Sequence, residues 1–403
     1  MRKTMLGLVS QFTPVRCWNF ASGLFPADLT FSRPTLAWRF NNSGILEAVA
    51  NHMPRIDYDP ITLECVGYLH EERRTNQLLY SKDFSNAVWG KFNCTPEISG
   101  ITNLDNTASV WKITNTGSGN IWARVRAGLS GTVTVGNNYT ASAVFWAGNT
   151  NYAAIVHSDG VNNTAVFALT GNGSVVSTTT GVSASIKHLG AGRYRCEAYY
   201  AITSASYTVN YGPASSGSTN SNPGDYIFAS FPQGEQGKWS TSIIPTTSAV
   251  ATRDYDTCSI VTGNWFNRKG GTFFAESRRL NRIGSGRLLT FDNVVNDVIL
   301  GYTENNNMVN GLGPATYGSQ IGTATDTLNW TRMISATSVS DCWGSVAGGL
   351  AGSLGGISGT KYPDATMLRI APAQGSNFPN GHTKKIEFWP HALAKTYARA
   401  LTS

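Results

Sequence analysis

Charge is the scarcest commodity in this chain. Only 14% of its 403 residues are Asp, Glu, Lys or Arg, which is unusual for a cytosolic enzyme. Cysteine is also sparse: Cys17, Cys65, Cys94, Cys196, Cys258 and Cys342 lie far apart, with no C-x-x-C and no histidine beside them. That spacing argues against a zinc ribbon and a dense disulfide scaffold and reads as isolated buried thiols, with disulfides left open by the even count. No apolar run approaches the roughly 18 residues of a membrane span. The basic start Met1-Arg2-Lys3 is followed by an apolar stretch too short for a secretory signal, broken by Ser10, Gln11 and Pro14. The expectation is a soluble chain with no membrane insertion. No G-x-S-x-G elbow, P-loop or H-E-x-x-H occurs, and the six histidines show no metal-ligand spacing. Repeated short coils of a β-helix are missing too.

What is abundant points one way. Forty-two glycines with many Ser, Thr and Asn, and aromatics at 11%, suit strands, turns and sandwich cores. The length exceeds one ordinary core and suits two or three domains. Net charge is +7, and most of it sits in residues 259–403, which hold 13 basic and 8 acidic residues. No long Lys/Arg run with interleaved aromatics appears, so nucleic acid is not the expected partner.

Three segments emerge. In 1–80, Pro14, Pro26, Pro34, Pro54 and Pro60 impose extended and turn geometry. Asn41-Asn42-Ser43-Gly44 marks a hairpin turn followed by a strand from Ile45 to Val49. This segment reads as hairpins without a large core of their own. In 81–258, period-two strands are expected over 108–114, 121–126, 139–147, 153–158, 164–169, 183–189, 194–202 and 226–231. Residues 213–224 are a polar loop within that sandwich. In 259–403, strands over 271–276, 287–291, 297–302, 330–335, 341–346 and 367–371 form a second sandwich. It closes with a strand carrying Ile386 and Phe388 on one face. A short helix follows, with Leu393, Tyr397, Ala400 and Leu401 inward and Lys395 and Arg399 outward. The glycine-rich 344–359 is expected to be a mobile hairpin loop.

The run Phe31-Ser32-Arg33-Pro34-Thr35, then Asn51 through Pro60 with Pro54-Arg55-Ile56-Asp57-Tyr58-Asp59-Pro60, then Gly67 through Leu79 with Glu71-Glu72-Arg73-Arg74-Thr75-Asn76, resembles the opening module of tailed-bacteriophage structural proteins: tail fibres, spikes and head fibres. The chain departs from that family at Leu36-Ala37, where Ala-Thr is usual. Arg33, Pro54, Arg55, Asp57, Asp59, Glu71, Glu72, Arg74 and Asn76 carry the resemblance. The middle segment is similar to jelly-roll carbohydrate-binding modules, through Asn86–Lys91, the 139–146 strand, Gly192–Cys196 and the close at 237–246. The last segment resembles laminin-G/concanavalin-like domains through its closing strand and helix. These resemblances imply an all-β protein: an N-terminal attachment module (1–80), a jelly roll (81–258), a laminin-G-like sandwich (259–403) and one C-terminal helix.

Each candidate site has a plain alternative. Asp57/Asp59 and Asp254/Asp256 place two carboxylates on one strand face, a seed for calcium or an acid pair. Solvated strand ends with tyrosine inward are the favoured reading, since no further oxygen ligands can be placed; no cofactor is expected and calcium is unsupported. Glu71-Glu72-Arg73-Arg74 reads as an ion-pair network at a junction rather than a catalytic carboxylate. Among the tryptophans, Trp122 beside Arg124 and Arg126 is the preferred sugar platform and Trp343 the second. The implied protein is a non-enzymatic virion component that binds host-surface glycan or decorates the particle. It would be a homo-oligomer, a trimer by the usual symmetry of fibres, contacting other capsid or tail proteins. A polysaccharide-degrading tailspike and a purely structural decoration subunit are the alternatives.

Overall fold

The computed structural model describes residues 12–280, 286–291, 298–302, 307–311, 318–323, 329–338, 341–347, 349, 352–355, 365–371 and 378–403. They form an all-β protein of two face-to-face sandwiches, with one short helix at Lys395–Thr402. The expected strands are present with ends shifted by a few residues. The 226–231 strand runs on to Gln236, and the 121–126 strand begins at Arg124.

Chain order and space part company in the N-terminal segment. Strand Gly381–Trp389 pairs along one edge with Gly271–Arg279. Along its other edge it pairs with Arg16–Asn19 over its second half and with Cys65–His70 over its first. Arg55–Tyr58 extends that sheet. In the facing sheet, Thr30–Ser32 pairs with Thr257–Val261. One core therefore holds Trp18, Phe20, Ile56 and Tyr68 together with Phe273, Leu289, Ile370 and Phe388. This corrects the reading of 1–80 as a separate module: its strands complete the sandwich of 259–403. The physical reason is burial. Strand Cys65–His70 is buried on both faces, and so short a strand reaches that state only inside a larger sheet. Gly67 permits the close pairing. It has φ +94°, and a Cβ there would stand 2.4 Å from the Thr383 carbonyl oxygen.

The jelly roll is consequently an insert. The chain leaves the base sandwich along Arg74–Asn76 and returns along Ala251–Arg253, and these two strands pair antiparallel, Arg74 opposite Arg253. Between them lie two six-stranded sheets. Strand Asn138–Ala147 shows how they are filled. Ala141, Ala143 and Phe145 face the core between the sheets. Val144 and Trp146 point the other way, into a second cluster with Leu46, Leu104, Phe231 and Ile243, against which Trp38 and Phe40 pack. The hairpin Ala37–Phe40/Leu46–Val49 of the base thus lies on the outer face of the insert, and the two sandwiches share an apolar seam.

The C-terminal helix inserts Ala398 and Thr402 and packs Tyr397 and Leu401 partly, while Ala400 is exposed. Ala398 takes the inward place expected for Ala400. Within 344–359, residues Gly352–Gly355 form a strand paired with Asp341–Val346. The rest of the expected loop falls largely outside the described residues. Loop 213–224 is pinned by backbone pairing of Ile121 with Ser221 and of Ser215 with Ser218.

Candidate functional site

The family-like motif converges where the insert joins the base. Arg33 donates from Nη1 to Asp256 (2.8 Å), and Arg55 donates to Asp256 and to Glu71 (2.7 Å). Arg253 stands 3.0 Å from the Glu71 carboxylate. All five side chains are essentially inaccessible to solvent. Glu71 also accepts from the Ser242 backbone N–H (2.7 Å) and hydroxyl (2.6 Å), so its carboxylate is fully engaged. Burial alone would raise the Glu71 carboxyl; the Arg253 and Arg55 charges and the Ser242 donors outweigh it and hold the group well below the ordinary carboxylate range. Buried Glu235, fixed by Thr241 and Gln233, adds a third anion in the field of Arg253.

The network reaches the backbone on both sides. Arg33 holds the carbonyls of Thr35, Ala50 and Met53, the last residue before Pro54. Arg55 holds that of Trp38. Asn76 is buried with its amide fully used: it donates to the Ile244 and Pro232 carbonyls and accepts from Leu78 and Gly234 N–H. Arg74 pairs with Glu72 and lies 4.9 Å from the Trp239 ring centre. Arg73 is exposed. Asp256 departs from the solvated strand end expected of it: it is completely buried at the network's centre. Sequence reasoning missed its partner Arg253, whose only signal was proximity to the Asp254/Asp256 pair.

The same junction opens a cleft of about 250 Å³. Trp38 and Phe40 line it from the base hairpin; Lys187, Arg195 and Glu197 from the insert; Asp57, Asp59, Arg278 and His382 from the base. Asp57 is mostly buried, against the solvated reading of it. Its Oδ1 accepts from Phe40 N–H and its Oδ2 from His382 Nε2, each at 2.8 Å. Asp59 Oδ1 caps the turn through Ile61 and Thr62 N–H at 2.9 and 3.1 Å. Burial pushes the Asp59 carboxyl up, but those two donors and the Lys187 and Arg278 charges leave it below its usual value. Glu197 accepts from the Ser185 hydroxyl and from Ser240.

The basic groups are less committed. Lys187 and Arg278 feel Asp57 and Asp59, yet no ion pair forms between them. The surrounding protein and the facing Arg278 charge lower the Lys187 ammonium, while the residue as a whole remains exposed. Arg278 Nε and Arg195 Nη1 have no hydrogen-bond partner, and neither has His382 Nδ1. Unlike charges are thus held apart across the cleft, with donors to spare and an apolar wall at one side. Among the described residues no cluster of His, Cys, Asp and Glu is arranged to hold a metal; Asp57 and Asp256 spend both carboxylate oxygens on protein donors, whereas Asp59 spends only Oδ1.

The two expected sugar platforms fare differently. Trp343 is buried beneath the C-terminal helix among Phe274, Ile334, Trp389 and Leu393. This corrects its assignment as a platform: its strand lies inside the eight-stranded sheet with one face covered by the helix. Trp122 is half-buried on the outer face of the insert, and the Arg124 guanidinium lies 3.8 Å from its ring centre. Arg126 sits on the same face, opposite Gly90.

No protein-family profile matches the sequence, and no curated protein does. Among solved structures, the carbohydrate-binding module of a Ruminococcus gnavus sialidase, bound to α2,3-sialyllactose, is 12% identical over 34% of this chain and 84% of its own, with a TM-score of 0.30. Mouse laminin α1 domains LG4-5 are 12% identical over 66% of this chain and 85% of theirs, with a TM-score of 0.23. Trypanosoma rangeli sialidase is 12% identical over 78% of this chain and 63% of its own, with a TM-score of 0.31. Likeness this slight carries no functional argument.

Proposed function

We propose that this chain is a non-enzymatic glycan-binding component of a tailed-bacteriophage particle, with the saccharide seated in the junction cleft. The carrying observation is the cleft's pattern of separated charges. A sugar hydroxyl donates and accepts at once, so it fits a gap with an acceptor on one side (the second oxygen of Asp59) and the Lys187 ammonium as donor on the other. Trp38 and Phe40 supply the apolar wall against which a pyranose face packs. A volume of about 250 Å³ suits one or two sugar rings.

The cleft argues for binding over hydrolysis. A glycosidase needs one carboxyl kept protonated beside a free carboxylate. Here Asp59 is held below its ordinary value, and Asp57 and Glu197 spend their oxygens on fixed donors. The virion assignment rests on the N-terminal motif, whose residues build the joint between the sandwiches. Particle attachment and assembly as a homotrimer belong to the same proposal.

Titration calorimetry of a panel of bacterial-surface oligosaccharides tests the reading. We expect a ligand whose affinity falls tenfold or more in Lys187→Ala, with no reducing ends released on long incubation. Silence across the panel at millimolar sugar, or unchanged affinity in the variant, overturns the cleft assignment. Release of reducing ends overturns the non-enzymatic one, and a monomer by light scattering at high concentration overturns the trimer.

A further inference from the structure

We propose a second, separate site on the outer face of the insert, where Arg124 and Arg126 bind the anionic groups of an acidic glycan. Strand Arg124–Gly128 alternates: Val125 and Ala127 enter the core, and Arg124 and Arg126 face out. Residues two apart on a strand project from points about 6–7 Å apart, so two guanidinium charges lie side by side. Among the described residues neither has a carboxylate partner.

Arg124 donates from Nε to the Asn210 side chain (3.2 Å) and from Nη1 to the Trp122 carbonyl (3.2 Å). Arg126 has no hydrogen-bond or ion-pair partner among the described residues. In a chain with so little charge, two adjacent uncompensated arginines are a departure that folding does not require.

The aromatics explain how the pair is held ready. The Arg124 guanidinium lies 3.8 Å from the Trp122 ring centre and 4.6 Å from that of Phe92. Arg126 lies 5.1 Å from Phe92. Gly90 makes this possible: it has no Cβ, and the Phe92 ring folds back over it, within 2.9 Å of where a Cβ would be. Stacking fixes the planar forks without using all their N–H donors, so less side-chain entropy is lost when an anion binds. Trp122 is thereby the support of Arg124 rather than a free platform for sugar.

The ligand chemistry follows. Two outward forks with unspent donors match carboxylate or sulfate groups bidentately. On the neighbouring strands Asn210, opposite Arg126, and Ala154 are buried, so an acidic glycan is met by the half-buried Arg124 and Arg126 forks and the exposed edge of Phe92. Nucleic acid is disfavoured, because two arginines make no row of phosphate contacts.

The proposal rests on the glycan reading but not on the cleft. Its test uses the full chain, a glucuronate-containing polysaccharide and a neutral glucan, each at 50 and 200 mM salt. We expect the acidic polymer to be preferred at low salt. The preference should fall tenfold or more in Arg124→Gln/Arg126→Gln, and by several-fold in Arg126→Gln alone. That single variant breaks no hydrogen bond, so its fold should be intact by thermal melting. Cleft binding, read by the Lys187→Ala effect, should be unchanged in both. Equal binding of the acidic polymer by wild type and the double variant overturns this site and leaves the cleft standing. Arginine-dependent binding that survives Lys187→Ala, with no cleft ligand found, supports this site while the cleft reading falls. Tighter arginine-dependent binding of a single-stranded oligonucleotide than of the acidic glycan overturns the glycan assignment.

Discussion

Removing Arg55 should uncouple the two sandwiches. In Arg55→Met the side-chain volume is roughly kept and the charge is lost. Arg55 holds Glu71, Asp256, the Ser242 hydroxyl and the Trp38 carbonyl, spanning both sandwiches and the returning strand. Deleting one member of a buried ion network costs about 3–5 kcal/mol, chiefly because the remaining charges stay buried with fewer partners. Arg253 still faces Glu71 and Arg33 still faces Asp256, so the lower end of that range, about 3 kcal/mol, is expected. A loss of that size lowers the melting midpoint by roughly 6–12 °C in domains of 150–250 residues. Calorimetry should resolve two transitions in the variant where the wild type shows one or a tighter pair. The insert keeps its own core and melts near its original temperature; the base melts earlier. A variant within 1 kcal/mol of wild type would refute the reasoning, showing that the apolar seam of Trp38, Phe40, Leu46 and Trp146 holds the joint without the charges.

Two further outcomes follow from the same geometry. Stability should decline as pH falls from about 6.5 to 4. His157 and His70 are buried and neutral, with folded values pressed by burial to about 4 and about 3. The unfolded chain takes up protons first, so each depressed group contributes stability above about pH 6.5 that is lost at up to ~1.4 kcal/mol per pH unit below it. Urea unfolding at pH 7 and pH 5 should show the drop, and His157→Gln should reduce it; a flat profile contradicts the buried-neutral assignment. A chain beginning at Leu79 should lose the base sandwich, since Arg16–Asn19, Thr30–Ser32, Arg55–Tyr58 and Cys65–His70 go with the deletion, whereas residues 79–249 alone should fold. Proteolysis and circular dichroism separate these cases, and a stable base sandwich in the shortened chain refutes the interleaved fold.

Local pattern carried the elements of this protein. Period-two alternation, glycine-rich turns and proline placement are properties of neighbouring residues, so the all-β class, the strands of the insert and the closing strand and helix could be read directly. The charge cluster at Glu71–Arg74 was also recognisable as junction chemistry, because four charges in a charge-poor chain need partners. What the sequence could not show is who those partners are. Arg55, Arg253 and Asp256 meet Glu71 across as many as 185 residues of chain separation, and the sheet pairing of residues 16–19 and 65–70 with 381–389 spans more than 300. Such pairings depend on which edges remain open after the insert has folded, a property of three-dimensional packing. Trp343 and Trp122 teach the same lesson at single residues. One lies within a strand and the other just before one; only tertiary packing placed the first beneath a helix and the second under an arginine.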